Sequence, residues 1–183
     1  YIKDRIGELN QELKQIETHR QLLRNQRNKK STPLISLVGY TNAGKSTLIN
    51  ALTDAGVLAE DKLFATLDTT TRKVKLPNGT EVLITDTVGF IQKLPHHLIQ
   101  AFRATLEELS FADILIHVVD ASNANRIQQM DVVYQTLKEL HCETTPVITV
   151  YNKVDKDIET PLPVDTIARD KVAISAKTKK GLD

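Results

Sequence analysis

The chain has 183 residues, a net charge of +1 from 24 basic and 23 acidic side chains, and no tryptophan. That length supports about one domain with a core of its own, and the charge balance excludes a strongly basic nucleic-acid binder or an acidic scavenger, leaving only local patches open. The one cysteine, Cys142, rules out an internal disulfide and suits a reducing compartment. No apolar run approaches the ~20 residues that span a bilayer and no signal pattern opens the chain, so a cytoplasmic monomer without membrane insertion is expected.

From the start of the chain, Ile2, Ile6, Leu9, Leu13, Ile16 and Leu23 follow the four-three step of a heptad seam, with Arg20 interrupting it. This spacing predicts a long amphipathic helix over residues 1–31. Such a stripe has nothing to bury against in isolation, so the helix needs a partner. Its end carries Arg20, Arg24, Arg27, Lys29 and Lys30 with no acid among them; a solvated helix end and an RNA-backbone contact both explain that.

After Ser31-Thr32-Pro33 the pattern changes, and residues 32–183 read as a second domain. Leu34–Gly39 is a short apolar run bounded by glycine, predicted as a strand and followed by a helix over Ser46–Leu52. "RKVKL" and "EVLITD" flank Pro77-Asn78-Gly79, a hairpin turn signal. A helical period covers residues 96–110 and again 124–141. Asp113–Asp120, Pro146–Asn152 and Lys171–Ser175 read as buried strands. Strand–helix alternation predicts an α/β fold with a doubly wound, mostly parallel sheet and one antiparallel edge strand.

The first chemical motif follows the first strand. Gly39-Tyr40-Thr41-Asn42-Ala43-Gly44-Lys45-Ser46-Thr47 fits the phosphate loop of a nucleoside-triphosphate site, G-x-x-x-x-G-K-[ST]. Its glycines let backbone N–H groups face phosphate oxygens, and the following helix adds its N-terminal dipole. Lys45 would neutralise the outer phosphates and the Ser46 hydroxyl would ligate Mg²⁺. Asp86-Thr87-Val88-Gly89 ends another strand: Asp86 can hold Mg²⁺ through a water, and the Gly89 N–H can reach a γ-phosphate, whose loss would release the turn. Asn152-Lys153-Val154-Asp155 selects the base. A carboxylate at Asp155 accepts from guanine N1–H and the 2-amino group, which adenine does not present, while the Lys153 stem can cover the base and Asn152 can tie the two loops together. Ser175-Ala176-Lys177 offers a backbone N–H to the guanine oxygen. The switch threonine that would reach Mg²⁺ is one of Thr66, Thr69, Thr70 and Thr71. Phe90 stands where GTP-hydrolysing switches often carry a glutamine that orients the attacking water, and a phenyl ring cannot do so.

"GYTNAGKSTL", "DKLFATLDTTTR", "DTVGFI" with "KLPH", and "HVVDAS" together resemble the HflX family of ribosome-associated GTPases, from about residue 4 onward. The resemblance implies a P-loop G domain, GTP binding with Mg²⁺, slow intrinsic hydrolysis, and binding to the large ribosomal subunit with splitting or anti-association of ribosomes under stress. It also makes the heptad helix the second arm of a helical hairpin, and places the last helix of the G domain beyond Asp183. Through its match to Phe64-Ala65-Thr66-Leu67, followed by Asp68, it favours Thr66 as the Mg²⁺ ligand; Thr69 departs from the proline common there. Asn42 resembles the P-loop asparagine of GTPases in which K⁺ bridges the phosphates. The catalytic set implied is Lys45, Thr66, Gly89 and Asn42. His96 and His97 read as a helix start, and Arg72 and Arg103 are aimed at no phosphate by anything in the sequence. Two other readings remain: a different translation-linked GTPase, in ribosome assembly or tRNA modification, and a nucleotide-dependent binding module with little turnover.

Overall fold

The computed structural model describes residues 32–53, 70–87, 89–90, 107–158 and 160–182. The chain divides into two units, Tyr1–Thr32 and Pro33–Asp183. The expected heptad helix of residues 1–31, the segment around Thr66, and most of the expected helix over 96–110 lie outside the described residues.

In chain order the second unit forms β1 (Leu34–Gly39), α1 (Lys45–Thr53), β2 (Thr70–Lys75), β3 (Glu81–Asp86), a 3-10 turn (Glu107–Phe111), β4 (Ile114–Asp120), α2 (Arg126–Glu139), β5 (Val147–Asn152) and β6 (Asp170–Ala173). The strands lie in one sheet in the order β2-β3-β1-β4-β5-β6. All neighbours are parallel except β2, which runs antiparallel to β3 from Thr70↔Asp86 to Lys75↔Glu81. The turn between them behaves as its sequence predicts. Leu76 and Thr80 pair, Gly79 takes φ 84°, and the Asn78 carboxamide oxygen accepts from Thr80 N–H at 3.0 Å.

Near-continuous apolar strands arise because both faces of the sheet are covered. One face gathers Leu37, Ile84, Val118 and Val150 with Leu48 and Ile49 of α1. The opposite face gathers Val38, Leu115 and Val147 with Val133 and Leu137 of α2. Alternation along β1 sends Leu37 and Val38 to opposite cores, which is the period-2 rule at work.

Two expectations need correction. Among the described residues the last strand is Asp170–Ala173, not Lys171–Ser175, all four of its residues are exposed rather than buried, and it is an outer strand with a neighbour, β5, on one side only. Ser175 leaves it and bridges Lys180. Where the helix expected over 96–110 would end, the described residues Glu107–Phe111 form a 3-10 turn, with Ala112 N–H donating to Leu109 O at 3.1 Å. Asp113 then accepts from Leu34 N–H at 2.7 Å and seats the start of β1. Among the described residues no helix is long and apolar enough to cross a membrane.

Candidate nucleotide-binding site

In a doubly wound sheet, ligands sit outside the carboxyl ends of the strands, where the strand order reverses. β1 has β3 on one side and β4 on the other, so the reversal falls at its C-terminal end. Four of the motifs read from the sequence leave the sheet at that edge: Gly39–Thr47 after β1, Asp86–Gly89 after β3, Asn152–Asp155 after β5, and Ser175–Lys177 after β6.

The phosphate loop turns directly out of the core. A Cβ at Gly39 would collide with the Val118 carbonyl oxygen of β4, and one at Gly44 (φ 99°) with the Asn152 amide nitrogen, so only glycine fits either place. Lys45 opens α1 almost fully buried. Its ammonium donates to Gly39 O at 3.2 Å and Tyr40 O at 3.3 Å, both in its own loop. Burial pushes its pKa down to about 8, against the opposing pull of Asp86.

The Asp86–Gly89 turn is pinned against this loop. Thr87 hydroxyl donates to Leu37 O at 2.5 Å, Thr41 N–H to Phe90 O at 2.8 Å, and Phe90 N–H to Gly39 O at 3.1 Å. A Cβ on Gly89 would stand 2.9 Å from Thr41 Cα and 3.1 Å from Lys45 Nζ, so any side chain there would press into the phosphate loop. Ser46 Oγ donates to Asp86 Oδ2 at 2.7 Å, with both residues buried. A hydroxyl and a carboxylate in contact at the start of α1 are hard oxygen donors, the kind Mg²⁺ takes, and the residues present fit that ion.

The base loop is joined to the phosphate loop by side chains. Asn152 Nδ2 donates to Ala43 O at 3.0 Å, while its Oδ1 accepts from Ala176 N–H at 2.9 Å. A single buried carboxamide therefore links three of the four motifs. Lys153 (φ 67°) donates through Nζ to Asn42 O at 2.8 Å and pairs with Asp120 at 2.8 Å. The Ser175 hydroxyl bonds the Asp155 carboxylate and, with nearby Lys177 and Lys156, holds it below the usual carboxylate range. The carboxylate that would read guanine is thus kept ionised and oriented. Val154 N–H donates to Ile174 O at 3.2 Å, fixing the loop to the strand end beside it.

Phe90 lies 1% exposed, packed with Val38, Leu109 and Leu115 in the α2-side core. Its ring belongs to that core, and Asn42 is exposed with φ 61°. Of the switch threonines, Thr71 is engaged with Thr85 at 2.9 Å between hydroxyls, and Thr70 pairs with Asp86 across the hairpin. Phe64, Ala65, Thr66, Leu67, Asp68, Thr69, Val88, His96, His97 and Arg103 lie outside the described residues; Arg72 is exposed on β2. Asp120 received no role from the sequence. The available signal was a carboxylate at the end of the strand beside Asn152-Lys153-Val154-Asp155.

Residues 34–153 match the family model described as 50S ribosome-binding GTPase. The chain is 57% identical over 182 residues to the GTPase HflX of Lacrimispora saccharolytica, covering 100% of this chain and 43% of that protein. It therefore spans less than half the length of this relative. Among solved structures, a GTP-binding protein of the archaeon Sulfolobus solfataricus in complex with GDP is similar, with TM-score 0.65, 28% identity, and coverage of 89% of this chain and 53% of that one. Era in complex with MgGDPNP and a segment of 16S ribosomal RNA is also similar, with TM-score 0.69, 26% identity, and coverage of 83% and 53%. The P-loop sheet, the joined phosphate and base loops and these matches together show that the chain belongs to the 50S ribosome-binding GTPase family, in its HflX group.

Proposed function

We propose that this protein is a GTP-driven switch that binds GTP with Mg²⁺, hydrolyses it slowly, and in its GTP form engages the large ribosomal subunit to split ribosomes or keep their subunits apart under stress. The observation that carries the nucleotide reading is the Asn152 carboxamide, which joins the phosphate loop to the Ser175–Lys177 loop beside an Asp155 held ionised by Ser175. The ribosome part of the reading is supported by the family description and the HflX relatives. A cytoplasmic location, a monomer, and the pairing of residues 1–31 as one arm of a helical hairpin belong to the same proposal.

Lys45 waits against two carbonyls of its own loop, and phosphate oxygens would replace them without having to dehydrate the ammonium first. Ser46 and Asp86, the latter through a water, would hold Mg²⁺, with Thr66 as the switch ligand. The ion would neutralise charge on the outer phosphates. Gly89, where a side chain would press on Thr41 and Lys45, would sense the γ-phosphate through its N–H and be released on its loss. Phe90 is turned into the core, so its side chain orients no water. Completion of the site would come from a K⁺ ion held by Asn42 or from the ribosome.

The test is GTP hydrolysis with and without purified large subunits, in K⁺ and in Na⁺ at equal ionic strength. A slow basal rate, a multi-fold rise with subunits and a faster rate in K⁺ are expected. No rise with subunits contradicts the ribosome reading, and equal rates in the two salts remove the role of Asn42.

A further inference from the structure

Lys153 departs from ordinary backbone geometry. Its φ of 67° places a non-glycine residue in the left-handed region, which is unfavourable for a lysine. Asn42, whose carbonyl receives the Lys153 ammonium, is left-handed as well, with φ 61°. Two left-handed residues 111 positions apart in sequence, of which Lys153 carries the strain that asparagine largely escapes, therefore meet through one hydrogen bond. Something must hold the ammonium on that carbonyl, since a free lysine side chain has many rotamers.

Asp120 is that anchor by position and by preparation. It ends β4 directly beside Asn152 in the sheet register, and Ala121 N–H donates to Asn152 O at 2.9 Å. One carboxylate oxygen is fixed by two donors from Ser122, the backbone N–H at 3.0 Å and the hydroxyl at 2.6 Å. The other oxygen is left for Lys153 at 2.8 Å. Both side chains are largely shielded, 18% and 13% exposed, so the pair is screened less than a surface ion pair. Burial disfavours the charged carboxylate, but the Lys153 ammonium and the Ser122 donors outweigh it and hold its pKa below the usual range. The ammonium thus spans the end of β4, the base loop and the phosphate loop, and its stem runs close to Gly44, with Lys153 Cε 3.9 Å from where a Cβ would be.

We propose that Asp120 is a positioning residue of the guanine-nucleotide site, holding Lys153 across the phosphate loop so that its stem is preset as the cover over the base. It touches no nucleotide itself and acts through Lys153. The inference rests on the nucleotide reading of the site. Because Lys153 stands at the base end, the effect falls equally on GDP and GTP, and the guanine-over-inosine ratio, set by Asp155, stays unchanged.

The test is a double-mutant cycle on the dissociation of fluorescent GDP and GTP analogues, using Asp120→Asn, Lys153→Ala and the pair. Asp120→Asn is expected to speed release about tenfold for both nucleotides, and the double variant to release no faster than Lys153→Ala alone. Additive effects, or an unchanged rate in Asp120→Asn, would overturn the proposal. Melting of the nucleotide-free protein accompanies the cycle, because a merely structural role would lower stability without this non-additivity. Should Asp120→Asn fail to fold, Ser122→Ala, which removes the hydroxyl but keeps the backbone N–H bond to the carboxylate, is expected to speed release about twofold to threefold, on the order of one lost hydrogen bond, and no change would count against the proposal. If the wild type binds no guanine nucleotide, the reading of the site falls; if it binds and the cycle is additive, only the role of Asp120 falls.

Discussion

Phe90 shows how much one residue's direction matters. The sequence identifies a phenylalanine at the water-orienting position but says nothing of where its ring points. The structure supplies the reason: Phe90 bridges Tyr40 as an added strand-like pair, and that pairing turns the ring toward Val38 and Leu115. Replacing it by glutamine therefore restores no catalytic group. Phe90→Gln is expected to lower unfolding free energy by about 3 kcal/mol, through a lost buried ring and a buried amide, with no gain in hydrolysis. Urea denaturation and a GTPase assay check both halves, and a stable, faster variant would contradict the placement. Asn152 was the opposite case. Its position at the end of a buried strand, before an aspartate three residues on, made its linking role legible. Asp120 was not legible, because a carboxylate after a strand carries no signal until the neighbouring strand is known.

At the level of elements, strands were legible where both faces are covered, since continuous apolar runs leave few alternatives. Leu34–Gly39 and Glu81–Asp86 match their sequence limits, and the hairpin follows from Pro77-Asn78-Gly79. Val172, Ala173 and Ile174 make Lys171–Ser175 resemble a core strand, but β6 ends at Ala173 with its residues exposed, because neighbours rather than composition decide burial at a sheet edge. Helix α2 ended close to its periodic pattern but with an unusual cap. Cys142 N–H donates to Leu137 O at 2.9 Å and His141 N–H to Lys138 O at 3.0 Å, a Schellman closure with His141 at φ 55° in the place glycine usually takes. His141→Gly relieves that strain and is expected to raise stability by about 1 kcal/mol, read as a higher denaturation midpoint at an unchanged slope. A lower midpoint would contradict the cap assignment.

For the molecule as a whole, the two apolar cores leave a buried polar seam between β4, β5 and α2. Asp165 accepts from Thr149 at 2.5 Å and Tyr134 at 2.6 Å, and His117, 1% exposed, meets Tyr134 edge-on with ring centres 5.0 Å apart. Burial lowers the His117 pKa to about 4, with Asp165 opposing and Lys45 assisting. The folded state thus binds the proton less well than the unfolded chain between pH 6.5 and 4, so stability falls as pH drops through that window. This group alone is expected to remove about 2 kcal/mol between pH 7 and 4.5. In urea denaturation His117→Gln should lose that much less than the wild type over the same interval, and equal losses would contradict a buried neutral histidine. The same sheet that buries this seam brings the phosphate loop, the Asp86–Gly89 turn and the base-reading loops to one edge, and the central claim is that this edge reads guanine through Asp155. Competition binding of GDP and XDP to the wild type and to Asp155→Asn tests it most directly: the account predicts that the variant prefers XDP, whose C2 oxygen suits an amide donor, and a retained preference for GDP would contradict it.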